Sequence, residues 1–152
     1  MIVSLVNDLA ATQTHTDVAN RLRPALLKLA RELRRESHAL GVTGGQVTLL
    51  IQIHRNRGIG VNELASRERI SAPAMSKHVA RLEAAGLVRR TQDEQDGRRQ
   101  GLSVTAEGER VLRSVKSRRT AWLAARLKQL EPAQLEALDA AIEPLVQLLE
   151  DE

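Results

Sequence analysis

The sequence predicts one mostly helical domain with a small β-hairpin. Three observations support this fold class. The chain has 152 residues, enough for one compact core and too few for two independent ones. Aromatic residues make up only 1% of it, so Leu, Val, Ile and Ala must build the core, and a chain rich in Leu, Ala, Arg, Glu and Gln favours helices. Two short β-type runs flank one turn-like segment in the middle of the chain.

The N-terminal part predicts two helices. Gly41 ends the first, and Thr43 is placed to cap the second, which runs to about Arg57. Between about residues 16 and 40, apolar residues recur at spacings of three and four, which predicts one buried stripe of Val18, Leu22, Leu26, Leu29 and Leu33. The apolar face of the second helix comprises Val47, Leu50, Ile51 and His54.

Residues 61–86 predict two short helices joined by a tight turn, which is the helix-turn-helix pattern. The first helix runs from Asn62 to about Arg67, and Ile70 is expected to fill the turn. Ser71 caps the second helix, with Pro73 in its first turn, where a missing N–H costs nothing. The predicted buried residues are Leu64 and Ala65 on the first helix and Met75, Val79 and Leu82 on the second, which ends at Gly86.

A hairpin follows this pair of helices. Its predicted strands are residues 87–91 and 102–104, the second alternating between a buried and an exposed face. Thr105 then caps a long helix to about Leu130, and Pro132 opens a Leu-rich last helix. The long helix is expected to turn inward Val111, Leu112, Val115, Trp122 and Leu123. A hairpin directly after a helix-turn-helix is a wing, so the predicted fold is a winged helix-turn-helix with extra helices at both ends.

Composition excludes several classes of function. The absence of cysteine excludes disulfides, thiolate zinc sites and cysteine redox sensing. The four histidines stand in no metal-binding spacing, so we expect no metal and no cofactor. No nucleophile–base pair or phosphate loop is recognisable, so we predict that the protein is not an enzyme. We also predict no membrane span and no secretory signal, and hence a cytoplasmic location.

Charge is unevenly distributed along the chain. Residues 66–119 carry 13 Lys/Arg against 7 Asp/Glu, whereas residues 131–152 carry 7 acidic residues and no basic one. A basic middle and an acidic end indicate that one region faces a polyanion, although an unevenly charged solvated surface would give the same counts.

The exposed face of the helix over residues 72–85 is made of short or cationic side chains. Such a face can enter a DNA major groove and meet phosphates and base edges, and an ordinary solvated helix would also present it. The candidate DNA-binding residues here are Ser71, Ala72, Pro73, Ala74, Ser76, Lys77, His78 and Arg81.

The tip of the predicted wing supplies further candidates. Arg98 and Arg99 can reach a minor groove from a narrow hairpin, and Asp96 can brace Arg98 through a charge-assisted hydrogen bond. A solvated hairpin with a local Asp–Arg pair is the alternative. The position of the hairpin, directly after a recognition-type helix, favours DNA.

From Thr43 to about Val146 the chain resembles the MarR family of bacterial regulators. The matching segments are Thr-Gly-Gly-Gln-Val (43–47), Val-Asn-Glu-Leu-Ala (61–65), Arg-Leu-Glu-Ala-Ala-Gly-Leu-Val-Arg-Arg (81–90), Asp-Glu-Gln-Asp-Gly-Arg-Arg (93–99) and Leu-Ser-Val-Thr-Ala-Glu-Gly (102–108). The resemblance implies a single domain: a DNA-binding lobe over residues 43–104, and dimerisation helices over about 16–40 and 105–150. It also implies a homodimer whose wings straddle a pseudo-palindromic operator in double-stranded DNA. Gln95 and Gly97 stand where some members carry arginine, so this wing is less cationic.

The terminal helices are the predicted dimer interface. The apolar face of the last helix is too long for one short neighbour, and burial against a second copy is the natural solution. The candidate interface residues are Leu22, Leu138, Ile142, Leu145 and Leu149. The acidic last helix is also expected to meet the arginine-rich first helix of the partner.

The resemblance further implies a small aromatic or lipophilic effector, bound between the dimer helices and the DNA-binding lobe. The candidates for this cleft are Trp122 and His38, although packing in the core or the dimer is the favoured interpretation of Trp122. The predicted function is therefore a sequence-specific transcriptional regulator, a repressor released by an effector. The alternative is a winged-helix module that binds a protein without specific DNA binding.

Overall fold

The computed structural model describes residues 2–92 and 100–149, with side chains from residue 12 onward. This part of the chain is mostly helical and contains one antiparallel pair of strands, which confirms the predicted fold class. In chain order the elements are α1 (Ile2–His38), α2 (Gly44–Arg55), α3 (Val61–Arg67), α4 (Ala72–Ala84), β1 (Val88–Gln92), β2 (Gln100–Val104), α5 (Ala106–Leu127) and α6 (Pro132–Gln147).

Helix α1 differs from the sequence prediction in its start and in its burial. It begins at Ile2 rather than near residue 16. The helix continues through the threonines before residue 16, and the hydroxyl of Thr16 donates to the carbonyl of Thr12 at 3.0 Å, one turn earlier. The predicted stripe is also not buried within one chain, because Val18 and Leu26 remain 53% and 42% exposed.

The helix-turn-helix lobe contains the hydrophobic core. Thr43 caps α2 as predicted: its hydroxyl accepts from the Gln46 N–H at 3.2 Å, and the Gln46 side chain accepts from the Thr43 N–H at 2.8 Å. The largest fully buried apolar side chains come from α2, α3, α4 and β2, and are Leu50, Ile53, Leu64, Met75, Leu82 and Leu102.

The turn between α3 and α4 is stabilised by a backbone hydrogen bond and not by a buried apolar side chain. Ile70 is 39% exposed, so the prediction that it fills the turn is wrong. Arg69 takes a left-handed conformation (φ 54°), and the N–H of Ile70 then donates to the carbonyl of Ala65 at 3.1 Å. This bond satisfies the backbone while the Ile70 side chain points to the surface.

The wing is the hairpin of β1 and β2, with Val88 opposite Val104 and Gln92 opposite Gln100. A single residue of the α2–α3 loop, Ile59, extends the sheet by bridging Leu102. The predicted alternation along β2 is wrong, because Ser103 is 4% exposed and its hydroxyl accepts from Nε of Arg89 on the paired strand at 3.2 Å.

One glycine, Gly101, and one threonine, Thr105, hold the wing against neighbouring segments. A Cβ on Gly101 would lie 2.6 Å from the carbonyl oxygen of Gly58, so only glycine permits this close approach. Thr105 caps α5 as predicted, accepting from the Gly108 N–H at 3.1 Å, and its hydroxyl donates to the carbonyl of Gly86 at 2.6 Å. This bond holds Gly86, just after α4, against the start of α5.

Among the described residues, no helix is both long and apolar enough to cross a membrane.

Candidate nucleic-acid interface

Helix α4 is held by one fully buried face. Met75, Val79 and Leu82 are each 0% exposed. Ser71 begins the helix as predicted, because its hydroxyl oxygen accepts from the N–H of Ala74 at 3.3 Å. Burial and capping together fix the rotation of α4, and therefore fix which residues face outward.

The outward face of α4 carries the predicted DNA-binding side chains. Ala72 and Ala74 are half-buried, and the remaining predicted residues are exposed, namely Ser71, Pro73, Ser76, Lys77, His78 and Arg81. Within the part of the chain that the structure describes, Lys77, His78 and Arg81 form no ion pair or hydrogen bond. The face therefore presents cations that are not neutralised by neighbouring carboxylates.

The wing is fixed to α4 by a cross-element ion pair. The Nε of Arg90, on β1, donates to both carboxylate oxygens of Glu83 at 3.2 Å. On the same strand, the Nε of Arg89 donates to the hydroxyl of Ser103 at 3.2 Å. The first bond orients the wing relative to α4, and the second joins the two strands of the wing to each other.

The predicted wing-tip residues Asp96, Arg98 and Arg99 lie outside the described residues. Their contacts with DNA, and the bracing of Arg98 by Asp96, stay predictions.

The predicted dimer residues lie on surfaces that the single chain leaves open. Leu138, Ile142 and Leu149 are 50%, 57% and 79% exposed, whereas Leu22 and Leu145 are half-buried. No described residue of α6 is buried. These exposed apolar residues form a face of the kind that a partner covers in oligomers.

The two predicted effector residues do not share one pocket. Trp122 lies in a concavity of about 440 Å³ between α1 and α5, where the guanidinium of Arg126 stacks at 3.5 Å from the ring centroid. His38 is exposed at the end of α1, about 13 Å of helix beyond Leu29, which lines the Trp122 concavity. The contact of Trp122 with α1 and Arg126 fits the packing alternative.

A second concavity, of about 510 Å³, lies between α2 of the lobe and α5. His54 was predicted to be buried, but its side chain is 52% exposed, and its Nδ1 lies 2.7 Å from Oε1 of Glu109. Apolar side chains form part of this concavity (Val47, Ile51, Leu112 and Val115). The polar lining consists of His54, Glu109 and Thr120 together with four cations, namely Arg55, Arg113, Lys116 and Arg119.

Sequence reasoning missed the polar connection between α1 and α5. The guanidinium of Arg119 donates from Nε to the carbonyl of Leu33 at 3.0 Å and from Nη2 to the hydroxyl of Ser37 at 2.7 Å. Burial, and secondarily the charge of Arg34, lower the pKa of Arg119 below its usual value. The only sequence signal was an arginine at a helical spacing from the apolar stripe of α5, and that spacing identifies no partner.

Comparison with known proteins agrees with this geometry. A family model described as the MarR family matches residues 42–99. The HTH-type transcriptional repressor MdtR of Bacillus subtilis is 30% identical over 126 residues, covering 83% of this chain and 81% of MdtR. A solved transcriptional regulator from Pseudomonas aeruginosa has a TM-score of 0.80 at 28% identity, covering 91% of this chain and 98% of that one.

A MepR mutant of Staphylococcus aureus, solved bound to an oligodeoxyribonucleotide, has a TM-score of 0.68 at 20% identity, covering 87% of this chain and 97% of that one. At that identity the likeness concerns the fold alone. The near-complete coverage by MdtR, the family model over the lobe, and the cationic face of α4 lead to one conclusion. The chain belongs to the MarR family of DNA-binding, non-enzymatic, winged helix-turn-helix transcriptional regulators.

Proposed function

We propose that this regulator is a cytoplasmic homodimeric repressor. It binds a pseudo-palindromic operator in double-stranded DNA through α4 and the wing, and a small molecule releases it. The observation that carries the DNA contact is the outward face of α4, where Lys77, His78 and Arg81 are exposed and unpaired among the described residues. The repressor role is supported by the similarity to MdtR, which is a transcriptional repressor.

The first experiment is a titration against the intergenic DNA upstream of the gene, at two salt concentrations, with random DNA as competitor. Operator binding should resist the competitor and weaken steeply with salt, because phosphate contacts release counterions. Binding that is lost equally on both DNAs would contradict the proposal and favour the protein-binding module.

The wing contributes through Arg98. We expect Arg98→Ala to weaken operator binding by about 1–3 kcal/mol, as the loss of one specific groove contact does. Wild-type affinity in this variant would remove Arg98 from the site.

The dimer is supported by the exposed apolar face of α6 and by its acidity. Reversing the charge of Glu136, Asp139 and Glu143 together should weaken association, because these carboxylates are expected to meet the arginines of the partner's α1. Sedimentation at micromolar concentration measures the effect. An unchanged dimer would contradict this pairing of α1 with α6.

The concavity between α2 and α5 supports effector release, since a molecule bound there touches both the DNA-binding lobe and a dimer helix. Its apolar wall and its four cations, which outnumber the single carboxylate of Glu109, suit a small aromatic acid better than a neutral lipophile. We expect benzoate to weaken operator binding more than benzyl alcohol does, and Arg113→Gln to reduce that difference. Equal effects of the two compounds would contradict this choice of effector.

A further inference from the structure

A polar groove of about 590 Å³ lies between the base of the wing and the start of α3. It is formed by three segments: the α2–α3 loop, the first turn of α3, and the ends of β1 and β2. The lining residues are Arg57, Gly58, Gly60, Asn62, Glu63, Thr91, Gln100 and Gly101. None of these is among the DNA-binding residues that the sequence predicted.

The free charge in this groove is positive. Arg57 is exposed and has no ion pair or hydrogen bond with any residue that the structure describes. The one carboxylate in the lining, on Glu63, is already occupied, because its Oε1 lies 2.7 Å from Nη2 of Arg67. Since that carboxylate is neutralised, Arg57 dominates the electrostatics of the groove.

Neutral hydrogen-bond donors accompany Arg57. The side-chain amides of Asn62 and Gln100 bond to no other described residue, so their N–H groups remain available. Arginine and amide donors are among the groups that contact phosphate oxygens in protein–DNA complexes.

The groove is also held in shape. Nη1 of Arg67 donates to Oδ1 of Asn56 at 2.7 Å, so that one guanidinium joins the end of α2 to α3 across the loop that carries Arg57. On the opposite side, the N–H of Gly58 donates to the carbonyl of Leu102 at 2.9 Å. The groove is therefore pre-organised, which lowers the cost of binding.

The position of the groove identifies its ligand. If α4 lies in a major groove and the wing reaches the neighbouring minor groove, one DNA backbone must pass between them. The groove lies beside this path, between the start of α3, the first helix of the helix-turn-helix, and the strand ends that lead to the wing tip. We propose that it is a phosphate clamp for this backbone, with Arg57 as its charged contact and Asn62 and Gln100 as its neutral donors. The clamp rests on the proposed contact of α4 and the wing with DNA.

Salt dependence of binding to the upstream duplex tests the clamp. Removing one phosphate contact lowers the slope of log affinity against log salt by about 0.9 for each bound protomer. We therefore expect the affinity deficit of Arg57→Ala to shrink by about 3.5-fold per protomer between 50 and 200 mM salt. Arg57→Lys should restore the wild-type slope, because it keeps the charge.

Lys128→Ala is the charge-matched control. It removes an exposed cation at the end of α5, outside the groove, and should leave the slope unchanged. In the groove itself, Asn62→Asp should weaken binding more than Asn62→Ala, because it brings an anion towards the phosphate. Thermal melting checks that every variant is folded.

Two failures can be told apart. If the wild-type protein binds no duplex, both the proposed function and the clamp are overturned. If the wild type binds and Arg57→Ala has the wild-type slope, the clamp alone is overturned. A slope that falls equally in Lys128→Ala would likewise overturn it, because the effect would then reflect net charge rather than this groove.

Discussion

Replacing Arg119 by methionine should destabilise the protein, because this side chain joins α5 to α1 at a buried polar position. Ser37 is 0% exposed, and its hydroxyl accepts from Nη2 of Arg119 at 2.7 Å. A hydrogen bond to a charged group contributes about 1.5–3 kcal/mol. The carbonyl of Leu33, which also accepts from Arg119, keeps its bond within the helix, so we count only the Ser37 bond in full.

The assay is urea unfolding of Arg119→Met, Ser37→Ala and the double variant, at one fixed protein concentration because dimerisation adds to stability. We expect a loss of about 1.5–3 kcal/mol for Arg119→Met. The double variant should lose less than the sum of the single variants, by about 0.5–2 kcal/mol, since the two side chains act on one bond. Arg113→Met, an exposed arginine on the same helix, is the control and should change stability by less than about 0.5 kcal/mol. Strict additivity of the two substitutions would refute the reasoning.

Three further predictions concern the lobe. Ser71→Ala should cost about 1 kcal/mol of stability in denaturant unfolding, because it removes the cap of α4, whereas Ser76→Ala on the exposed face should cost less than about 0.5 kcal/mol; equal effects would contradict the cap. Gly101→Ala should lower the free energy of unfolding by about 1–3 kcal/mol, since its Cβ would meet the backbone of Gly58. An unchanged melting temperature would contradict this and show that the loop of Gly58 can shift. Lys77→Ala should weaken binding to all sequences alike and lower the salt slope by about one, and an altered base preference would instead place Lys77 among the base contacts.

The lobe could be predicted from sequence because its signals are local. Thr43, Ser71 and Thr105 each cap a helix in the structure, and each was recognisable as a small polar residue just before an apolar repeat. The apolar spacing on α4 then predicted its buried face correctly, which in turn predicted the outward cations. Once the buried face of a short helix is known, the residues on its exposed face are known as well.

Predictions failed where an environment depends on residues distant in sequence. The hydroxyl of the buried Ser103 accepts from Arg89, 14 residues away in the sequence, and the polar bond of Arg119 to Ser37 spans 82 residues. His54 has the spacing of a core residue, yet it reaches Glu109 on α5 instead. None of these partners leaves a periodic signal in the sequence.

The predicted burial of the terminal helices failed for a different reason, and that reason bears on assembly. Every buried described side chain lies between Ser37 and Val115, so the lobe and the first part of α5 complete their own core. The apolar stripes on α1 and α6 obey the helical repeat as strictly as the stripe on α4, yet Val18, Leu138 and Ile142 remain at least half exposed. A repeat shows that a face is apolar and does not show which molecule covers it. Since the repeat is sound and the described residues supply no cover, these stripes support the proposal of a homodimer, in which a second copy carries the same open stripes.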